Sequence, residues 1–291
     1  MIKSSKELVE EALNIFEENS TKNGIIGVPS GFKKLDELTY GWQPGELIII
    51  GGRPGMGKTA FALSMIRNIA VQFNQAVAVF SLGKSSVQII TRMISSETGI
   101  PSGKLRKGNL EPYEWEMLNM KLDNLSNSPI YIDDTSSLSI ADLKTKVSKL
   151  VTQQNVKLII IDYLQLMTNN DLTTNREEEI ASISRNLKIL AKELNISIIT
   201  LSQLSRDIEL RGGSKRPMLS DLLRSGAIEQ NADIVMFLYR PDYYGFTEWD
   251  DEEHTPCEGQ AELMVAKHKN GGLDNIRLKF TGYLAKFSNL E

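Results

Sequence analysis

The sequence predicts an α/β fold with a mainly parallel sheet flanked by helices and finished by antiparallel strands toward the C-terminus. Short, nearly continuous apolar runs alternate with helical stretches from about Gly27 onward, the pattern of parallel strands buried on both faces. After "DIVMFLYR" the helices stop, and "AELMVAKHK" and "NIRLKFTG" read as strands joined by the turn "NGGLDN". The first strand, "ELIII", also runs through a glycine-rich turn straight into an apolar-faced helix.

Taken in order, Ser4 and Glu7 have the spacing of a capping box, and Leu8, Val9, Ala12, Leu13 and Phe16 then repeat on one helical face. The polar "ENSTKNG" ends this helix, so residues 1–22 are expected to form an amphipathic linker helix and residues 23–291 one α/β domain. Its apolar face is expected to fold back on its own domain, the commoner arrangement, or to dock on a neighbouring subunit. The strands that follow are "ELIII", "AVAVFS", "PIYID", "KLIIID" and "SIITLS", with "TAFALSMIRNIAVQF" and "EEIASISRNLKILAKEL" as helices between them. Neither an internal repeat nor a low-complexity tract interrupts the pattern.

Bulk properties narrow the functional classes. The 291 residues are 41% hydrophobic and 24% charged, the ordinary globular range. The longest apolar runs fall well short of the roughly 20 residues that cross a bilayer, so no membrane partner is expected. The charged N-terminus lacks the apolar core of a secretory signal. Cys257 stands alone and only two histidines, His254 and His268, are present, which argues against a disulfide framework or a zinc site. Net charge of −4 argues against a generally basic nucleic-acid binder, so any polyanion site must be local. One candidate is "SRDIELRGGSKRP", carrying Arg206, Arg211, Lys215 and Arg216; a solvated loop is the alternative. The acidic "TEWDDEEHTPCEG" is expected to be an exposed loop that would repel DNA.

The chemistry is concentrated in "GRPGMGKT", Gly52 to Thr59, which matches the P-loop pattern G-x-x-x-x-G-K-[ST] between a strand and a helix. Gly52, Gly55 and Gly57 free backbone N–H groups to converge on phosphate oxygens, with Arg53, Pro54 and Met56 completing the loop. Lys58 is placed to reach the β- and γ-phosphates of a nucleotide such as ATP, and Thr59 to put its hydroxyl on Mg²⁺. Such a site needs a carboxylate at a neighbouring strand end. Asp162, closing the apolar "KLIIID", is preferred over Asp133 and Asp134 of "IYIDDT", whose strand is shorter. Gln203 ends the next strand, where an amide can sense the γ-phosphate or hold the attacking water, or be a plain turn residue.

With these residues in place, the chain closely resembles the motor domain of DnaB-type replicative DNA helicases. "GVPSGFKKLDELTYGWQPGELIIIGGRPGMGKTAFAL", "IIIDYLQLM", "SQLSR", "KRPMLSDL", "SGAIEQNADIVMFLYRPDYYG" and "AKHKNGG" follow the family's motifs in order, over nearly the whole chain from Gly27. The resemblance implies a RecA-like P-loop ATPase and a homohexameric ring threading single-stranded DNA in the 5′ to 3′ direction. It also implies ATP and Mg²⁺ bound between subunits, primase and a helicase loader as partners, and a cytoplasmic, bacterial-type replisome. The N-terminal helix resembles the family's linker helix, which packs on the next protomer.

Three places depart from the family pattern. The catalytic glutamate and the methionine after it are replaced by Gly83 and Lys84. In the trans-acting K-x-R element, Lys267 is kept and the finger arginine becomes Lys269. In the DNA-facing loop, Leu-Arg-Glu-Ser-Gly becomes Leu222, Leu223, Arg224, Ser225 and Gly226, leaving Arg224 and Gly226 as the candidate backbone contacts. Loss of a positioned base costs on the order of 10² to 10⁴ in rate. An arginine finger contributes about 10³ to 10⁵, of which a lysine keeps the charge and loses the bidentate fork. Hydrolysis is therefore expected to be impaired while ATP binding survives. Lys84 is read as a solvated turn lysine, with an approach to the γ-phosphate as the alternative. Two other classes stay open: a catalytically degenerate ATP-binding ring or scaffold of a replicon or phage, and a RecA-fold signalling or recombination ATPase.

Overall fold

The computed structural model describes residues 3–20, 24–168, 175–222 and 226–290. The apolar run Leu47–Gly52 is β1, buried along its whole length. β1 lies between two parallel neighbours because both of its faces are apolar: side chains alternate between faces, and each face meets its own core. Ile48 and Ile50 join Phe61, Met65, Ile66 and Ile69 on one side. Leu47 and Ile49 join Ile183, Leu187 and Phe237 on the other.

Six strands form the parallel part of the sheet: β1, β2 (Val77–Ser81), β3 (Ile130–Asp133), β4 (Leu158–Asp162), β5 (Ser197–Gln203) and β6 (Ile234–Tyr239). β7 (Gln260–His268), β8 (Asn275–Thr281) and β9 (Lys286–Asn289) continue it antiparallel. The order is β3-β2-β4-β5-β1-β6-β7-β8-β9. The expected C-terminal hairpin is therefore β7–β8, and β9 adds a further strand, anchored where the Phe287 N–H donates to Ser64 Oγ at 2.9 Å.

Helices α1 (Ser5–Ser20), α2 (Lys33–Thr39), α3 (Lys58–Arg67), α4 (Ser86–Thr98), α5 (Ser102–Lys107), α6 (Pro112–Ser126), α7 (Ile140–Gln154), α8 (Arg176–Leu194), α9 (Asp207–Leu210) and α10 (Gly226–Asn231) complete the described chain. The caps follow local chemistry. Asn175 accepts the Glu177 N–H at the start of α8, where Glu177, Glu178 and Glu179 meet the positive end of the helix dipole. Ser139 does the same for α7.

α1 has the capping box expected of it: the Ser4 N–H donates to Glu7 Oε2 at 2.7 Å and the Glu7 N–H to Ser4 Oγ at 3.3 Å. It does not fold back on its own domain, contrary to the preferred expectation. None of its residues is buried, and Leu8, Leu13 and Phe16 are 50%, 54% and 66% exposed. A cap and a helical repeat form the helix, but among the described residues nothing covers its apolar stripe.

Candidate functional site: a phosphate loop at the strand ends

The carboxyl ends of the parallel strands bring the candidate residues together, the edge at which open α/β sheets bind ligands. β1 ends at Gly52 and the chain turns through residues 53–57 into α3. Two positions in this turn admit only glycine. Gly55 and Gly57 have φ of 85° and 98°, and a Cβ on Gly55 would lie 2.6 Å from the Tyr243 ring. The open N-terminus of α3 and the loop N–H groups form an anion cradle. Arg53 does not face that cradle: its guanidinium donates to Leu204 O at 2.8 Å and to Glu209 Oε1 at 2.7 and 2.9 Å, tying the loop to the end of β5 and to α9. Met56 is buried, so these side chains hold the loop and leave its backbone to the ligand.

Lys58 bends back over the loop, donating to Gly52 O at 2.5 Å and Arg53 O at 3.1 Å. Burial pulls its ammonium down to about 8; Asp162 opposes that pull, while Arg53 and Lys84 add to it. An ammonium disfavoured by burial and by neighbouring cations is stabilised when an anion enters.

Thr59, one residue into α3, donates its hydroxyl to Asp162 Oδ2 at 2.7 Å. Asp162 closes β4 and is only 6% exposed. The competing acids are engaged elsewhere: Asp133 with Lys146 at 2.5 Å, and Asp134 accepting from the Ser86 N–H at 2.7 Å. Gln203 lies at the tip of β5 in register with Gly52, between the phosphate loop and the β4 end. Its N–H donates to Gln165 Oε1 at 3.3 Å, and Gln165 Nε2 donates to Ser202 Oγ at 2.9 Å. Gly83 lies just past β2, whose Ser81 is in register with Asp162. It is exposed, and a Cβ there would meet only Leu166 Cδ1, at 3.3 Å.

Lys84 corrects the sequence reading. It is not a solvated turn lysine: its ammonium sits 3.1 Å from Asp162 Oδ2 and 3.3 Å from Thr59 Oγ1. The register of β2 with β4 produces this contact, because it sets the turn after Ser81 directly beside Asp162.

Lys267 and Lys269 lie toward the opposite edge of the sheet. Lys267 is in register with Val235 and hence with Ile49, about 10 Å along the strands from the level of Gly52. Its ammonium donates to Glu229 O at 2.6 Å. Lys269 lines a recess with Lys188, Lys192 and Asp233. Neither residue joins the phosphate loop of its own chain. Gly226 opens α10 and is exposed, whereas Arg224 lies outside the described residues.

The basic loop is largely committed internally. Arg211 pairs with Asp221 at 2.5 Å, Arg216 pairs with Asp250 at 2.6 Å and with Glu262, and Lys215 lies over the Tyr244 ring. This removes most of its candidacy as a polyanion site and leaves Arg206 exposed. The acidic run is more than an exposed loop, since Trp249 and Cys257 bury themselves against Tyr239. Sequence reasoning missed Arg240 and Tyr243 beside the phosphate loop. Arg240 stacks over Phe280 at 4.0 Å and donates to Gly55 O at 3.4 Å. Their only signal was the position of "RPDYYG" immediately after β6.

A hydroxyl and a carboxylate form an oxygen-only donor pair suited to a hard cation such as Mg²⁺. Among the described residues no group of three or more His, Cys, Asp or Glu could hold a metal ion. Among the described residues no helix is long and apolar enough to cross a membrane.

Comparison with known proteins agrees with this geometry. Residues 27–289 match the DnaB-like helicase C terminal domain. The chain is 43% identical to the replicative DNA helicase DnaB of Geobacillus stearothermophilus, over 99% of this chain and 62% of that protein. It is 42% identical to the replicative DNA helicase DnaC of Bacillus subtilis, over 98% and 61%. The chain therefore spans less than two thirds of the length of these relatives. A solved DnaB-like replicative helicase, described with its interactions with primase, superposes with a TM-score of 0.85 at 36% identity over 100% of this chain and 68% of that one. A solved ATPase domain superposes with a TM-score of 0.88 at 36% identity over 98% and 99%.

Proposed function

The chain belongs to the DnaB-like helicase C-terminal domain family, and on that premise we propose that it is the ATP-driven motor of a replicative DNA helicase. It works as a homo-oligomeric ring, a hexamer, around single-stranded DNA. The observation that carries this reading is the contact of Thr59 with Asp162 at 2.7 Å, directly beside the phosphate loop. That contact supports a nucleotide site built for a triphosphate and its cation.

In this reading residues 23–291 are the motor and residues 1–22 a linker whose exposed Leu8, Leu13 and Phe16 dock on the neighbouring subunit. The N–H groups of residues 52–59 hold the phosphates of ATP, and Lys58 neutralises their charge. Thr59 and Asp162 are the residues that would hold Mg²⁺, which would supply positive charge to the phosphates. Gln203 orients the attacking water. Lys267 and Lys269 serve the nucleotide of the adjacent subunit, which agrees with their position away from the loop of their own chain. Arg224 and Gly226 contact the DNA backbone with little sequence preference. Primase and a helicase loader are the protein partners, in the cytoplasm of a bacterial-type cell.

Gly83 can neither orient nor deprotonate water, so hydrolysis is slow. Lys84 on Asp162 favours a second reading, an ATP-binding ring or scaffold that does not turn over. ATP hydrolysis measured with and without single-stranded DNA tests the two. Stimulated turnover that is lost in Lys58→Ala supports the motor; turnover near zero in a particle that still forms a ring with an ATP analogue supports the scaffold. A particle that stays monomeric with and without the analogue contradicts both.

A further inference from the structure

We propose that Lys84 is a built-in cation that takes the place of the divalent metal between Thr59 and Asp162, so that this site holds a nucleoside triphosphate without magnesium. The inference rests on the nucleotide-site reading above and deepens it. Three atoms converge: Lys84 Nζ, Thr59 Oγ1 and Asp162 Oδ2 lie 3.3, 3.1 and 2.7 Å apart pairwise. Two of them are the oxygens that would hold the metal. The ammonium lies within hydrogen-bond distance of both, on a carboxylate whose side chain is 7% exposed.

The position is held rather than incidental. Ser81 Oγ donates to Lys84 O at 2.8 Å, pinning the turn from the β2 side. On the other side Ser85 caps α4 in a reciprocal box with Gln88, and Ser86 donates N–H and hydroxyl to Asp134 at 2.7 and 2.9 Å. With its backbone fixed at both ends, the long flexible stem delivers a compact point charge to one place. Gly83, without a side chain, leaves no carboxylate in front of Lys84 to draw it away.

The electrostatics then divide the site into two regimes. A divalent cation entering between Thr59 and Asp162 meets a carboxylate already neutralised and an ammonium of like sign at contact distance. A triphosphate entering without metal meets Lys58 on the loop and, at the metal position, an ammonium that cancels the repulsion Asp162 would otherwise exert on its phosphates. Magnesium dependence of binding is therefore weak, and replacing Lys84 with the methionine of the family pattern restores it.

The test is a fluorescence titration with mant-ATP, in excess EDTA and in millimolar magnesium, on the full chain and on Lys84→Met, Lys84→Arg and Lys58→Ala, with circular dichroism to check folding. Wild type is expected to bind in EDTA within about tenfold of its affinity in magnesium, a difference of at most about 1.4 kcal/mol. Lys84→Met is expected to lose at least about tenfold in EDTA and little in magnesium, while Lys84→Arg, which keeps the charge, retains binding in EDTA. Equal magnesium dependence in wild type and Lys84→Met overturns the role of Lys84 and leaves the nucleotide site standing. Absence of binding by wild type in both buffers, or unchanged binding by Lys58→Ala, overturns the nucleotide site itself.

Discussion

Thr59 and Asp162, 103 residues apart in the chain, meet through a 2.7 Å hydrogen bond. The sheet order makes that possible. β5 is the one strand between β1 and β4, so the residue that follows the phosphate loop and the acid that ends β4 open onto the same crevice.

Restoring the missing acid is the first expectation. A side chain at Gly83 meets only the flexible tip of Leu166, and the backbone there is not in the left-handed region, so Gly83→Glu folds without strain. ATP turnover in the presence of single-stranded DNA should rise, by on the order of 10² if the glutamate serves as base. Adding Lys269→Arg should raise it further. No gain from either substitution would show that these positions do not carry the family's roles.

The face of α1 gives a second expectation. Leu13 and Phe16 are 54% and 66% exposed and contribute nothing to the core of their own chain. Phe16→Asp should leave the melting temperature of the monomer unchanged within error and shift the size distribution, measured by light scattering, toward smaller species. Unaltered assembly would mean that the stripe docks on no neighbouring copy.

Arg216 bridges the basic loop to the sheet. It pairs with Asp250 and with Glu262, and Glu262 is only 3% exposed. Arg216→Ala leaves that carboxylate buried and unpaired, which should cost roughly 3 kcal/mol in chemical denaturation. Arg216→Met in combination with Glu262→Leu should recover most of the loss, since removing both charges spares the desolvation penalty.

The same pair predicts a pH dependence. Hydrogen bonding to Arg216 holds the Asp250 carboxyl down at about 2, below its ordinary 3.8. A group depressed in the folded state contributes stability that is present above pH 3.8 and lost as the pH falls toward about 2. Because Asp250 is 42% exposed, solvent screening limits the effect to under about 1 kcal/mol. Asp250→Asn should flatten the stability profile in that acid window and nowhere else.

How much was legible follows from how local each signal is. The phosphate loop and Asp162 could be read because a glycine spacing and a wholly apolar strand are written in consecutive residues. The parallel class followed from β4 and β5, apolar enough to be buried on both faces. α4, α6 and α7 went unread although their apolar residues recur at helical spacing, as Ile89 with Met93 and Leu143 with Val147 do, and β9 went unread because it is a strand of only four residues. The place of Lys84 could not be read because it depends on the register of Ser81 with Asp162, a relation between distant segments. The partners of Arg216 are 34 and 46 residues away, so a loop that looked cationic is neutralised by the fold.

The central claim is that the glycine loop, with Lys58 bent over it, grips the tail of a nucleoside triphosphate. Equilibrium titration of a fluorescent ATP analogue in magnesium against wild type and Lys58→Ala tests it most directly. Saturable binding that weakens by about 10- to 150-fold in the variant is the expected result, the equivalent of roughly 1.5–3 kcal/mol for one hydrogen bond to a charged group. No binding by the wild type, or the same affinity in a folded Lys58→Ala protein, would contradict it.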